Sequence, residues 1–137
     1  MAYKDNPLAT HRFRIFVLDD QPLIADTIAK VLESRGYEAH ARYTSADVLE
    51  LATEIPPDLL IADVSLGPNQ ITGIDVAVYF QRFHPGCQAI LISGNPASGE
   101  LHQLARDKGH DFELLSKPIN PEYMLEVVGS MLERKAA

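Results

Sequence analysis

The chain has 137 residues, 46% of them hydrophobic and 23% charged, with a formal net charge of −7. This length and composition predict one globular domain large enough to bury a core. The acidic balance argues against direct binding of nucleic acid, which usually needs a basic face. No apolar run reaches the roughly 18 residues of a membrane span. We therefore expect a cytoplasmic protein.

The single Cys87 excludes an internal disulfide and a cysteine-based zinc site. This cysteine follows a Pro-Gly turn at the start of an apolar run. We expect a buried structural thiol there.

Five short apolar runs predict β-strands that are largely buried. The central run ends on Asp63, and a loop rich in turn-forming residues follows it. The first run also ends on acid, at Asp19-Asp20. The predicted strands cover residues 14–18, 38–43, 58–63, 88–92 and 112–115.

A helix is predicted after each strand, from apolar residues at helical spacing. Asp20 is expected to cap the first of them, because aspartate is a good N-cap residue. The inner face of the third helix is predicted to carry Val76, Tyr79, Phe80 and Phe83. The predicted helices begin near Asp20, Thr44, Thr72, Ser98 and Pro121, and the last three end near Phe83, Lys108 and Glu133.

Strands and helices that alternate in this way indicate a doubly wound α/β sandwich with a parallel sheet. The domain is expected to cover residues 13–134, after a loosely docked extension at 1–12. No second domain is expected to follow it.

Polar side chains stand at the ends of four predicted strands. In an open parallel sheet these ends share one edge, and ligands bind just outside it. Three carboxylates favour a hard divalent cation, and we expect Mg²⁺; a carboxylate can also accept a phosphoryl group. A hydroxyl and an ammonium group would bind phosphoryl oxygens. The residues in question are Asp19, Asp20, Asp63, Ser93 and Lys117.

In this arrangement the chain resembles the receiver domain of two-component response regulators, over about residues 13–134. Asp19 and Asp20 match the metal-binding acids of that family, and Asp63 matches its phosphoacceptor. Ser93 matches its hydroxyl residue, and Lys117 matches its lysine. The resemblance implies a flavodoxin-like (βα)5 fold with five parallel strands in the order 2-1-3-4-5.

The resemblance also implies a metal site. Asp20 and Asp63 would ligate Mg²⁺ directly, and Asp19 would act through a water molecule. The backbone carbonyl of Ser65 would be the third protein ligand.

The implied chemistry is phosphorelay signalling. Asp63 would accept a phosphoryl group from the phosphohistidine of a partner kinase or phosphotransfer protein. Lys117 would pair with the phosphoryl group, and Ser93 would swing inward to bind one of its oxygens. The Lys117-Pro118 peptide bond is expected to be cis, as in much of the family.

Two features depart from the family pattern. Leu114 stands three residues before the lysine, where receiver domains usually carry an aromatic switch residue. The loop after Asp63 is about two residues longer than the common pattern, at 66–70. The first departure concerns how a change at the site would reach the distant surface, because the usual coupling uses a ring that turns inward. The longer loop would change the lid over the metal site or the partner surface.

We expect a signalling module, not an enzyme, that acts as a stand-alone receiver and is a monomer or weak dimer. A pseudo-receiver adaptor that works without phosphorylation is one alternative. A Mg²⁺-dependent aspartyl phosphatase is another, but it needs Asp-x-Asp, and Gln21 stands two residues after Asp19. A flavin or nucleotide carrier would need a phosphate-cradling loop after the first strand, and that loop lacks the composition.

Overall fold

Five strands form one parallel sheet in the computed structural model, which describes residues 12–68, 71–94, 103, 106 and 112–136. Neighbouring strands lie in the order β2-β1-β3-β4-β5, so the predicted topology is confirmed. In chain order the strands are β1 (Arg14–Leu18), β2 (Glu38–Arg42), β3 (Leu59–Asp63), β4 (Gln88–Ser93) and β5 (Glu113–Ser116).

Four helices are described in full. They are α1 (Pro22–Ser34), α2 (Ser45–Glu54), α3 (Gly73–Phe83) and α4 (Pro121–Ala136). The helix predicted at 98–108 lies mostly outside the described residues, of which Gln103 and Arg106 are helical. The predicted extension also lies outside them, except for Arg12.

The sheet is buried on both faces because side chains alternate along each strand. Ile15 and Val17 of β1 belong to one core cluster, together with residues of α1 and α4. Phe16 and Leu18 belong to a second cluster, with residues of α2 and α3. The inward residues predicted for the last helix are buried, namely Met124, Val128, Met131 and Leu132.

Helix α3 begins with a capping box in which Thr72 and Asp75 bond to each other reciprocally. Its buried stripe includes Val76 and Phe80, as predicted. The prediction was wrong for Tyr79 and Phe83, which are 38% and 57% exposed. Ala77 is buried and Tyr79 is not, because the buried stripe follows residues spaced three or four apart, such as Val76, Ala77 and Phe80.

Helix α1 begins differently from the prediction. Its N-cap residue is Gln21, whose side chain makes no capping hydrogen bond, so the prediction that Asp20 caps this helix was wrong. The backbone N–H of Gln21 donates instead to Asp19 Oδ1 at 2.9 Å. Asp20 is therefore left exposed at the edge of the sheet.

Two smaller predictions are confirmed. The Lys117-Pro118 peptide bond is cis, and Cys87 is a buried free thiol. Along the described part of the chain, no helix is both long and apolar enough to cross a membrane.

Candidate functional site

Three carboxylates meet at the edge of the sheet where the parallel strands end. Asp19 and Asp20 follow β1, and Asp63 is the last residue of β3, the strand beside it. Each contributes a carboxylate oxygen to a group whose atoms lie within 4.8 Å of one another. The sheet order thus brings together acids that are more than 40 residues apart in the sequence.

Asp19 is the most deeply buried of these acids, with 1% of its surface exposed. Its backbone N–H donates to Arg42 O at 3.2 Å, which ties the end of β1 to β2. Its Oδ1 atom accepts the hydrogen bond from Gln21. Its Oδ2 atom is buried and pairs with the ammonium group of Lys117 at 3.2 Å.

Lys117 brings a cation to the acids from the loop after β5. Its backbone N–H donates to Ser93 O at 2.9 Å. Its Nζ atom donates to Asp63 Oδ2 at 3.0 Å and lies 3.2 Å from Asp19 Oδ2. Burial alone would lower the pKa of Lys117, but the hydrogen bonds and charges of Asp63 and Asp19 together outweigh it and raise the pKa.

The pKa of Asp63 is raised above its ordinary value. Burial is the largest cause, and the negative charge of Asp19 adds to it. The hydrogen bond and charge of Lys117 and a hydrogen bond from the backbone of Ser65 act in the opposite direction. The hydrogen bond and charge of Lys117 therefore do not bring the pKa of Asp63 back down to its ordinary value.

The other two predicted site residues lie at the same edge. Ser93 ends β4 and follows Ile92, which is the register partner of Asp63. Ser65 is exposed, and its backbone N–H points to Asp63 Oδ1 at 3.4 Å. The roles of the Ser65 carbonyl and the Ser93 hydroxyl stay predictions.

Leu114 occupies β5 opposite Leu91 of β4. It is partly buried and packs against the core cluster on the side of α2 and α3. An aliphatic side chain thus lies where an aromatic ring would be expected.

Two glycines in the segment after Asp63 lie close to the acids. Gly67 belongs to the predicted turn-forming loop, whereas the need for a glycine at position 73 was missed by the sequence reasoning. Gly67 has a φ of +101°, and a Cβ there would lie 3.6 Å from Asp20 Oδ2. A Cβ on Gly73 would lie only 2.1 Å from the backbone oxygen of Asp63. For Gly73 the available signal was its place at the start of a predicted helix, where most other residues would favour the helix more than glycine does.

This fold and this cluster of side chains are found together in the family whose model the chain matches. The match to the response regulator receiver domain covers residues 15–129. The chain therefore belongs to the receiver domains of two-component response regulators.

Two relatives illustrate the family. The nitrogen assimilation regulatory protein NtrX of Azorhizobium caulinodans is 28% identical over 121 residues, which cover 87% of this chain and 26% of that protein. The transcriptional regulatory protein KdpE of Mycobacterium tuberculosis is 29% identical over 123 residues, which cover 90% of this chain and 52% of that protein. The chain thus spans about half or less of the length of these relatives.

Solved structures of similar chains have the same fold. The CheY-like receiver domain protein of Methanospirillum hungatei is 26% identical with a TM-score of 0.82, and the alignment covers 92% of this chain and 98% of that one. A receiver domain protein of Clostridium thermocellum is 26% identical with a TM-score of 0.79, covering 90% and 97%.

Proposed function

We propose that Asp63 accepts a phosphoryl group from a phosphohistidine on a partner kinase or phosphotransfer protein. The observation that carries this proposal is the placement of the Asp63 carboxylate. It lies at the end of a buried strand, 3.0 Å from the Lys117 ammonium, with two further carboxylates beside it. Phosphoryl transfer needs mainly positioning and charge neutralisation, and this arrangement offers both.

The residues present fit a Mg²⁺ ion. Hard oxygen donors are the ligands that this ion prefers, and Asp19, Asp20 and Asp63 each offer a carboxylate oxygen within 4.8 Å of the others. Asp20, Asp63 and the backbone carbonyl of Ser65 would hold the ion directly, with Asp19 acting through water. The bound ion would supply positive charge next to the phosphoryl oxygens.

In the proposed transfer, a carboxylate oxygen of Asp63 forms a bond to phosphorus while the phosphorus–nitrogen bond of the phosphohistidine breaks. The electron pair leaves on the imidazole nitrogen, which takes a proton from solvent. Lys117 binds a phosphoryl oxygen and compensates its charge. The raised pKa of Lys117 keeps this side chain cationic for that role.

The signal would leave the site through Ser93, whose hydroxyl binds a phosphoryl oxygen and shifts the segment at Gly94. This is a local charge change that biases a two-state element. Because Leu114 has no ring to turn inward, the coupling in this chain would rest on Ser93 and the segment that follows it. The changed surface would then bind a downstream protein.

A docking surface for the phosphodonor protein is proposed beside the site, on the first turns of α1. Leu23 is 79% exposed there, the largest exposed fraction of any large hydrophobic residue in the described part of the chain. It stands four residues after Asp19 in the chain. A partner that covers Leu23 would bring its phosphohistidine close to Asp63.

The proposal is tested by incubating the protein with Mg²⁺ and a small phosphodonor and then measuring its intact mass. We expect the gain of one phosphoryl group, which disappears in Asp63→Asn. Asp47→Asn is the matched control, because Asp47 is an exposed aspartate of α2. An equal gain in Asp63→Asn would refute the assignment, and so would steady turnover of phosphate esters, which would indicate a phosphatase.

A further inference from the structure

The segment between β3 and α3 is anchored at several points around the acids. Val64 and Leu66 are buried in the core cluster on the side of α2 and α3. Gly67, the residue after Leu66, has a positive φ, and a Cβ there would lie 3.6 Å from Asp20 Oδ2. Only Ser65 of the first three residues after Asp63 is exposed, on the side of the site.

Gly73, the first residue of α3, lies directly against the backbone of Asp63. A Cβ built on Gly73 would be 2.1 Å from Asp63 O, 2.8 Å from Asp63 C and 3.2 Å from Val64 Cα. The backbone N–H of Gly73 also donates to Val64 O at 2.8 Å. Gly73 is not among the described glycines with positive φ, so the glycine is required here for space and not for its backbone conformation.

Neither the Asp63 main chain nor the start of α3 can move easily to make room for a side chain at position 73. The atoms in the way belong to the main chain, which cannot change rotamer as a side chain can. The start of α3 is held by the capping box of Thr72 and Asp75 and by the buried Ile74 and Val76. A side chain at position 73 would therefore push the main chain of Asp63 by about 1 Å, the shift needed to reach an ordinary contact.

We infer that Gly73 is a positioning residue for the acid cluster, because its missing side chain lets α3 begin against the main chain of Asp63. The contact fixes the direction of the Asp63 carboxylate and the course of the chain through Ser65. A cation site needs its ligands held within about 0.5 Å, so a displacement of this size matters for binding. The inference deepens the proposed function and rests on it for the identity of the ion.

The test is isothermal titration calorimetry, in which Mg²⁺ alone is added to the purified wild-type chain and to the Gly73→Ala variant. We expect the dissociation constant for Mg²⁺ to rise by at least about tenfold, since a misplacement of about 1 Å can cost a hundredfold in a functional site. Gly129→Ala is the matched control, because Gly129 also lies in a helix, α4. A Cβ there would lie 3.9 Å from Tyr37 Oη, which is an ordinary van der Waals distance. The affinity of this control variant for Mg²⁺ should equal that of the wild type.

A second variant covers the case in which Gly73→Ala does not fold. Thr72→Ala removes the side chain that accepts from Asp75 N at 3.2 Å and so loosens the start of α3 without adding an atom near Asp63. We expect a weaker loss, severalfold in the dissociation constant. Thermal unfolding of each variant, measured without Mg²⁺, gives the folded fraction at the titration temperature.

The outcomes separate this inference from the proposed function. Wild-type affinity for Mg²⁺ in folded Gly73→Ala, or in Thr72→Ala if the first variant is unfolded, would overturn the inference. A wild-type protein that binds Mg²⁺ but accepts no phosphoryl group would overturn the proposed function and leave this inference standing. A wild-type protein that binds no Mg²⁺ would overturn both.

Discussion

The two ends of the sheet both carry ionic clusters, and the two clusters are balanced differently. At the end where the strands begin, Arg14 pairs with Glu38 and donates through Nη1 to Pro56 O at 3.0 Å, and Glu38 also bonds to His40. At the other end, Lys117 is the cation that contacts both Asp63 and Asp19. At the first end Glu38 has a guanidinium group of its own, which compensates its charge, whereas at the second end Asp63 and Asp19 share one ammonium group and Asp20 lies beside them.

The pKa values of the carboxyl groups show the same difference. The pKa of Glu38 is lowered to about 2. The hydrogen bond from Arg14 is the largest cause of this shift, and it outweighs the opposite effect of burial. Burial and the neighbouring Asp19 raise the pKa of Asp63 in spite of Lys117. The ionised carboxylate of Glu38 therefore stabilises the fold. The ionised carboxylate of Asp63 destabilises it, and a bound cation would remove that destabilisation.

The largest effect is expected from Lys117→Met. The rate of phosphorylation by a small donor should fall by about a hundredfold or more, the size of the loss when an electrostatic partner of a transition state is removed. In the absence of Mg²⁺, the free energy of unfolding at pH 7 should fall by about 3 kcal/mol, because buried carboxylates lose their cation. Lys30→Met, at an exposed position of α1, is the control. A variant of Lys117 with unchanged rate would contradict the role of its ammonium group.

A stabilisation by Mg²⁺ that depends on Asp63 is expected next. At a concentration about 100 times the dissociation constant, the ion should raise the free energy of unfolding by about 2.7 kcal/mol. Chemical denaturation with and without Mg²⁺ measures this increment. Glu38→Gln, at the compensated end, should keep it, while Asp63→Asn should lose most of it. Equal increments in both variants would mean that the ion acts elsewhere.

Opposite pH dependences are expected for the two ends. Because the folded pKa of Glu38 is lowered, its contribution to stability is present above pH 4.5 and is lost as pH falls towards about 2. Glu38→Gln should therefore cost about 1 kcal/mol at pH 7, the scale of a partly exposed ion pair, and the difference from wild type should shrink in acid.

Asp63 should show the reverse sign. Because its folded pKa is raised, the ionised side chain disfavours folding, and this cost disappears as pH falls through the raised value. Without Mg²⁺, Asp63→Asn should gain stability relative to wild type as pH rises from acid to neutral. A parallel pH dependence for the variants at both ends would refute the contrast between the clusters.

The smallest effect is expected from an ion pair away from both ends. Arg35 and Glu122 link α1 to α4 at 3.6 Å, but their side chains are 53% and 82% exposed. Arg35→Ala should change the free energy of unfolding by less than about 0.5 kcal/mol. Chemical denaturation measures this change. A loss of stability as large as that caused by Glu38→Gln would mean that burial does not explain the different strengths of the Arg35–Glu122 and Arg14–Glu38 pairs.

Much of this architecture follows from the sequence because the signals are local. Buried strands appear in the sequence as continuous apolar runs, so β1, β3 and β4 could be predicted, together with the acids at the ends of β1 and β3. The meeting of Asp19 with Asp63 then follows from the rule that parallel strands end at one edge. The family resemblance added the strand order and the prediction that the backbone carbonyl of Ser65 is a metal ligand.

What could not be predicted depends on contacts between distant parts of the chain. Tyr79 and Phe83 are apolar enough for a core, but their helix already buries a complete stripe without them. Asp20 has the right chemistry for an N-cap, but the chain turns so that Gln21 takes that position. The need for Gly73 arises from the main chain of Asp63, ten residues earlier; the local signal, a glycine at the start of a helix, does not show which backbone lies against it.

The central claim is that the carboxylate of Asp63 is the one that takes the phosphoryl group. Borohydride reduces an acyl phosphate to an alcohol, so the protein can be phosphorylated with Mg²⁺ and a phosphohistidine donor, reduced, digested and examined by peptide mass spectrometry. The account predicts that the reduced residue is Asp63, with Asp19 and Asp20 unchanged. Reduction at Asp19 or Asp20, or no reduced residue in a protein that has gained the phosphoryl mass, would contradict it.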